Sequence, residues 1–146
     1  MTKEELPIRF RKAEQSDVSF IFNSWLKSFR SSRFASTLTS TIYFQEHHKV
    51  LERILSLSDI DIAYVEGDPN TIIGYICHAV SCNIFILHYA YVKHTFRGLG
   101  IFKALLEEAQ HDPQYAGVYT HHTKAMEKQA PKLNMIHHPY LLNNLK

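Results

Sequence analysis

Cysteine is nearly absent from this chain. Its two cysteines, Cys77 and Cys82, make no disulfide framework, so a reducing cytoplasm is the expected location. Long apolar runs are missing too. No stretch reaches the length of a membrane span, and the first residues, MTKEELPIRFRK, lack the apolar centre of a signal peptide. Charge of one sign is scarce: the formal balance is +2, too small to argue for nucleic acid by itself. No Lys-Ser or Lys-Thr follows the glycines, as a P-loop needs, and no Gly-x-Gly-x-x-Gly of a dinucleotide fold occurs. Cys77, His78, Cys82 and His88 have no zinc-ligand spacing, so no metal site is expected. Repeats, linkers and low-complexity segments are also lacking. What remains is 146 residues, 45% hydrophobic and 21% charged, which read as one globular domain spanning residues 1–146. Histidine is the one excess. There are ten, six of them in the adjacent pairs His47-His48, His121-His122 and His137-His138.

The stretch from Ile84 to Ala109 organises the rest. Ile84 to Val92 has the length and apolar content of a buried strand. Lys93-His94-Thr95 is a polar break. Phe96-Arg97-Gly98-Leu99-Gly100 is a basic glycine turn. Ile101, Leu105 and Ala109 then recur as one helix face, with Phe102 and Leu106 beside it. A strand leading through glycines into a helix leaves free backbone N–H groups at the positive helix end, which suits phosphate.

Upstream, Ile8 and Phe10 alternate with Arg9 and Arg11 as a short strand. Ser16 is the expected N-cap of a helix carrying Val18, Ile21, Phe22, Trp25, Leu26 and Phe29 on one face. Arg30 to Ser40 reads as a loop in which Phe34 and Leu38 tuck inward. A second helix is expected from about Thr41 to Leu57. Asp59 to Val65, Thr71 to Val80 and Ile84 to Val92 form an antiparallel meander, with Glu66 to Asn70 and Ser81 to Asn83 as turns. Gly117 to Thr120 is a strand parallel to Ile84–Val92, because a helix separates the two. His122 to Ala130 is a helix stopped by Pro131. Asn134 to Leu142 supplies a last strand, broken by Pro139.

Arg97-Gly98-Leu99-Gly100-Ile101 resembles the acyl-CoA pyrophosphate loop of the GNAT superfamily of N-acyltransferases, whose pattern is Arg/Gln-x-x-Gly-x-Gly/Ala. Phe102 departs from it, standing where the pattern has Gly or Ala. The order β-α-α-β-β-β-α-β-α-β resembles the same fold over nearly the whole chain, with little more than one strand left for the usual closing hairpin. The resemblance implies an α/β fold with a mixed, mostly antiparallel sheet, helices on both faces and a cofactor cleft between strands four and five. It implies an N-acyltransferase that takes acetyl-CoA, or another acyl-CoA, as acyl donor to a primary amine of unknown identity. Gly98, Leu99, Gly100, Ile101 and Phe102 are then expected at the cofactor, the N–H groups from about Leu99 to Phe102 at its diphosphate, with Arg97 beside them and the backbone of Tyr91 and Val92 along the pantetheine arm. The Val92 N–H is the expected oxyanion donor.

Between Cys77 and Gln110 the only carboxylates are Glu107 and Glu108, well inside the helix, so the base-bearing position falls near His88. The other reading of His88 is an inert, hydrogen-bonded residue on the opposite strand face. His121 and His122 stand at the lip of the cleft. The helix where the family places its acid tyrosine has no tyrosine here, which leaves Tyr140 or Tyr119. Trp25 and Phe29 fit the core better than an acceptor pocket. Arg30 and Arg33 are the candidates for an acidic acceptor. The alternatives are an inactive GNAT-like interaction module and a nucleic-acid binder using Arg9, Arg11, Arg30 and Arg33.

Overall fold

The computed structural model describes residues 7–144. Its elements follow the expected order with one addition. β1 (Ile8–Lys12) leads to α1 (Val18–Phe29), a one-turn helix α2 (Arg33–Ser36) and α3 (Ser40–Leu57). β2 (Asp59–Val65), β3 (Asp68–Ser81) and β4 (Ile84–Val92) form the meander. α4 (Ile101–Glu108), β5 (Gly117–Tyr119), α5 (Lys124–Leu133) and β6 (Met135–His137) complete the described chain. All six strands lie in one sheet in sequence order. β1 to β4 pair antiparallel, whereas β4–β5 and β5–β6 pair parallel.

The sheet separates two cores. On one face α1, α2 and α3 supply Ile21, Trp25, Phe29, Ala35, Tyr43 and Leu51, which pack against Ile62, Tyr75 and Tyr89. On the other, Ile101, Leu105 and Leu106 of α4 and Met126 and Ala130 of α5 pack against Ala63, Ile76, Leu87 and Tyr119. Among the described residues no helix is long and apolar enough to cross a membrane.

Local chemistry explains where the boundaries moved. Ser16 is not the cap. The chain enters α1 through a 3-10 turn, and the Asp17 carboxylate accepts the Glu14 N–H at 2.7 Å. Arg11 grips the same carboxylate through two nitrogens, at 2.7 and 2.9 Å, and holds it below its ordinary pKa. Arg30 to Ser40 is not all loop, because the Ser32 hydroxyl accepts the Ala35 N–H and starts α2. Leu38 packs at the core edge, whereas Phe34 is 64% exposed. The β2–β3 turn is shorter than expected and β3 starts at Asp68, since Gly67 turns alone at φ 84°. The β3–β4 hairpin turns on Cys82 and Asn83, both at positive φ, the backbone that matches strand twist in a two-residue loop. Pro131 does not stop α5. Its ring removes one internal hydrogen bond, and the helix runs on to end at Asn134 in the left-handed region, φ 57°. The last strand shrinks to three residues, and Pro139 opens a 3-10 turn (Pro139–Asn144) instead.

Gly74 has a packing reason. A Cβ built there meets the Tyr91 carbonyl oxygen and lies 3.1 Å from Val92 Cα, so β4 comes this close only to a residue without a side chain. Gly74→Ala is expected to cost about 1–3 kcal/mol by overpacking, read as a lower urea midpoint. An unchanged midpoint would show that β4 moves freely.

Candidate active site

β4 carries one residue too many for its partner. Cys77 pairs with Tyr89 and His78 with Leu87, so His88 bulges between them. The extra residue shifts the alternation. Phe85 and Leu87 face the α4 core and Tyr89 and Tyr91 face the α1 core, although all four are odd-numbered. β5 pairs with β4 only at Ile86–Val118 and Leu87–Tyr119, followed by the Thr120 N–H on the Leu87 carbonyl at 3.1 Å. Past that point the two strands part. The gap is a cleft of about 840 Å³.

Each wall comes from a different element. β4 contributes His88, Tyr89, Tyr91 and Val92, and the turn and α4 contribute Arg97 and Phe102. β5 and the residues after it supply Tyr119, His121 and His122, with Glu127 from α5. Lys27, Ser31 and Arg33 close the side nearest the α1–α2 corner.

The glycine turn uses the left-handed backbone that its glycines allow. Gly98 and Gly100 sit at φ 82° and 79°, and Gly100 is the left-handed N-cap of α4 without a side-chain cap. The Ala104 N–H already bonds the Gly100 carbonyl, so the N–H groups of Ile101, Phe102 and Lys103 lack intrahelical acceptors. Of the eight residues expected at the cofactor, Tyr91, Val92, Arg97 and Phe102 line the cleft. The side chains of Leu99 and Ile101 go into the α4 core instead. Gly98, Leu99, Gly100 and Ile101, expected at the cofactor, are not among the residues that line the cleft. Arg97 donates Nε–H to the Val92 carbonyl at 3.0 Å, which ties the turn to the end of β4. Phe102 both lines the cleft and packs on the core beneath α4.

His88 is in the cleft wall and is also buried, 4% exposed. Its Nδ1 lies 3.0 Å from Thr120 Oγ1, and burial pushes its pKa down to about 4. Tyr140 is a correction. It is 71% exposed on the final 3-10 turn, outside the cleft, because Pro139 turns the chain away. Tyr119 is the tyrosine brought in: it lines the cleft, its hydroxyl is 2.9 Å from His122 Nδ1, and burial raises its pKa.

The arginine loop divides. Arg30 donates to the Ala35 and Leu38 carbonyls and lies over the Tyr43 ring, so it holds the α1–α3 corner together. Arg33 lines the cleft. Arg9 pairs with Glu66 at 2.9 Å. Trp25 is fully buried and stacks on Tyr89 with centroids 4.7 Å apart, behind the wall rather than in it. Cys77 is buried, its thiol pushed up to about 12, while exposed Cys82 is at the hairpin tip. Among the described residues no three His, Cys, Asp or Glu converge as metal ligands.

Sequence reading missed three features. Glu127 puts a carboxylate at the cleft from α5. His121 is buried and its Nε2 lies 2.8 Å from His47 Nε2. Thr120 stands between His88 and His121, 3.0 Å from each ring. The adjacent histidine pairs were the available signal: in two of the three, the first member, His47 or His121, is buried.

No family model matches the sequence, and no curated protein does. Solved structures match the fold. A "possible acetyltransferase" from Clostridium difficile 630 covers 92% of this chain and 92% of its own, with a TM-score of 0.57 at 18% identity. A GNAT family acetyltransferase from Brucella melitensis, in complex with acetyl-CoA, covers 70% and 66%, with a TM-score of 0.51 at 17% identity. The PaiA N-acetyltransferase from Thermoplasma acidophilum, in complex with coenzyme A, covers 70% and 69%, with a TM-score of 0.50 at 20% identity.

Proposed function

We propose that this chain, whose fold is that of the GNAT N-acyltransferases, binds an acyl-CoA in the β4–β5 cleft and transfers the acyl group to a primary amine. Acetyl-CoA is the donor to test first. The observation that carries this reading is the parting of β4 and β5 past Leu87 beside the uncapped start of α4. The residues fit the ligand. Three backbone N–H groups at a positive helix end suit a diphosphate, and the uncovered edge of β4 suits an amide-bearing arm that pairs as a strand does. When bound, the thioester supplies an activated carbonyl carbon.

Three tasks fall to the chain. A neutral amine must be delivered, so a base takes its proton; His88, a neutral imidazole in the wall, is placed for that. The carbonyl oxygen must be stabilised as negative charge develops, the role proposed for the Val92 N–H. As the new C–N bond forms and the C–S bond breaks, the leaving thiolate needs a proton; Tyr119 is one acid in the cleft wall, and His88, once it holds the amine's proton, is another. Lys27 and Arg33 give the acceptor end positive charge. The free thiols fit a reducing cytoplasm.

Titration calorimetry with acetyl-CoA tests the reading. Micromolar binding is expected, and Gly100→Glu is expected to weaken it at least ~100-fold, about 2.7 kcal/mol, by setting a carboxylate against the phosphates. A thermal melt reads separately the strain of a left-handed glutamate, about 1–2 kcal/mol. Equal affinity in both proteins would discard the loop assignment. A second reading, a GNAT-fold interaction module without turnover, is favoured by one observation: His88, near 4, is a weak base. Binding without CoA release across a panel of amines would select it.

A further inference from the structure

Beyond the cleft wall, a line of hydrogen bonds runs from β4 through the end of β5 to α3. His88 Nδ1 is 3.0 Å from Thr120 Oγ1, Thr120 Oγ1 is 3.0 Å from His121 Nδ1, and His121 Nε2 is 2.8 Å from His47 Nε2. All four residues are buried, at 2–6% exposure. Aromatic rings hold the imidazole planes. Phe29 and Tyr43 stack on His47, with centroids 5.2 and 5.5 Å away, and Trp25 and Phe29 meet His121 edge-on at 5.1 and 4.7 Å.

A neutral imidazole has one N–H and a threonine hydroxyl one proton. Thr120 can accept from both rings and turn its own proton to the His88 carbonyl, 3.5 Å away; two other proton orders satisfy all three bonds as a one-way chain. In the first, His88 Nδ1–H donates to Thr120, Thr120 donates to His121 Nδ1, and His121 Nε2–H donates to His47 Nε2. That leaves His88 Nε2 bare and a proton on His47 Nδ1. In the second, every bond is reversed, which leaves a proton on His88 Nε2 and His47 Nδ1 bare. Neither outer nitrogen has a protein partner among the described residues.

We infer that His88, Thr120, His121 and His47 form a proton wire that serves the cleft as base in one half of the reaction and as acid in the other. This rests on the acyl-transfer reading. In the first order His88 Nε2 takes the proton that the attacking amine loses. His88 Nδ1–H passes to Thr120, the Thr120 proton to His121 Nδ1, His121 Nε2–H to His47 Nε2, and His47 Nδ1 gives its proton to water. The wire now stands in the second order. When the C–S bond breaks, its electron pair stays on sulfur, and the thiolate takes the proton of His88 Nε2. Each group then draws a proton from the next, and His47 Nδ1 regains one from water. One proton has entered and one has left at each end, and the first order is restored. Burial keeps all three rings neutral near pH 7, so charge is present on the wire only in passage. The wire also accounts for a cleft without a carboxylate on β4. Thr120, His121 and His47 act through His88 and are positioning residues.

The test is nitrogen NMR of histidine-labelled protein with an acetyl-CoA titration. In the free wild-type protein, the proton bridging His47 and His121 is expected to exchange at least ~10-fold more slowly than the ring proton of exposed His94. Thr120→Val should move the ring signals of His47, which it does not touch, and Thr120→Ser should restore them. Acetyl-CoA should shift the His47 signals in wild type but not in Thr120→Val, with equal calorimetric affinity in both. A missing bridging proton in wild type, or His47 signals indifferent to Thr120→Val or to bound acetyl-CoA, overturns the wire and leaves acyl-CoA binding standing. Failure of wild type to bind acetyl-CoA by calorimetry overturns the acyl-transfer reading, and the wire's role with it.

Discussion

Acidification from pH 6.5 towards 4 is expected to unfold this protein or bring it close to unfolding. His47 and His88 are pushed to about 4 and His121 well below 6.5, in each case chiefly because burial strips water from the charged form. The unfolded chain takes up a proton on each near pH 6.5. Below that point it therefore binds more protons than the native state, and stability falls with pH until the native groups titrate near 4. A shift of about 2.5 units corresponds to about 3 kcal/mol for a single group. The rings touch, so their shifts do not add in full; a combined loss of roughly 3–6 kcal/mol compares with a typical total of 5–15. Asp17 acts in the same direction at lower pH. Arg11 holds its carboxylate below the ordinary range, so the unfolded chain protonates this group first and stability keeps falling below about pH 4. Urea denaturation from pH 7.5 to 4 should show a falling midpoint, and His47→Gln should flatten it. A midpoint constant over that range would mean that these imidazoles are hydrated and not sealed.

Trp25→Ala is expected to cost about 3–5 kcal/mol, the usual range for emptying a large aromatic site. Trp25 is fully buried, stacks on Tyr89 within 6° of parallel and meets His121 edge-on. Its Nε1 is also buried without a partner, which costs stability in itself. Trp25→Phe should consequently be far milder than its loss of volume indicates, about 1 kcal/mol net. Because Trp25 lies behind the wall, Trp25→Phe should leave acetyl-CoA affinity unchanged. A selective loss of affinity with stability intact would instead make Trp25 part of a pocket.

Much of this was legible in the sequence. The run from Ile84 to Ala109 reads as strand, glycine turn and helix because its apolar spacing changes period at two glycines. The face of α1 is equally plain, with Ile21, Trp25, Leu26 and Phe29 all buried. The site is another matter. Ile84 to Val92 is apolar nearly throughout, so periodicity carries no phase, and the bulge at His88 left no trace in it. His47 and His121 are 74 residues apart, and no local pattern announces their contact. Tyr140 was misplaced because a tyrosine's chemistry is visible in a sequence while its direction is not. Pro131 failed as a stop because a proline's cost of about 3 kcal/mol is one that the packing of Met126 and Ala130 outweighs.

The single extra residue in β4 works like a change of reading frame. A strand sorts its side chains by parity, odd to one side and even to the other, and His88 resets the count midway. Phe85 and Leu87 are thereby addressed to one core, and Tyr89 and Tyr91 to the other. Substitutions leave that address intact, and so does loss of the bulged residue itself: without His88, Leu87 and Tyr89 become strand neighbours that face opposite ways, as they do now. A residue added or removed elsewhere in the strand instead puts its side chains out of step with β3. By this logic β4 tolerates conservative replacement at many positions and, for folding, loss of its one extra residue, but other changes of length at almost none.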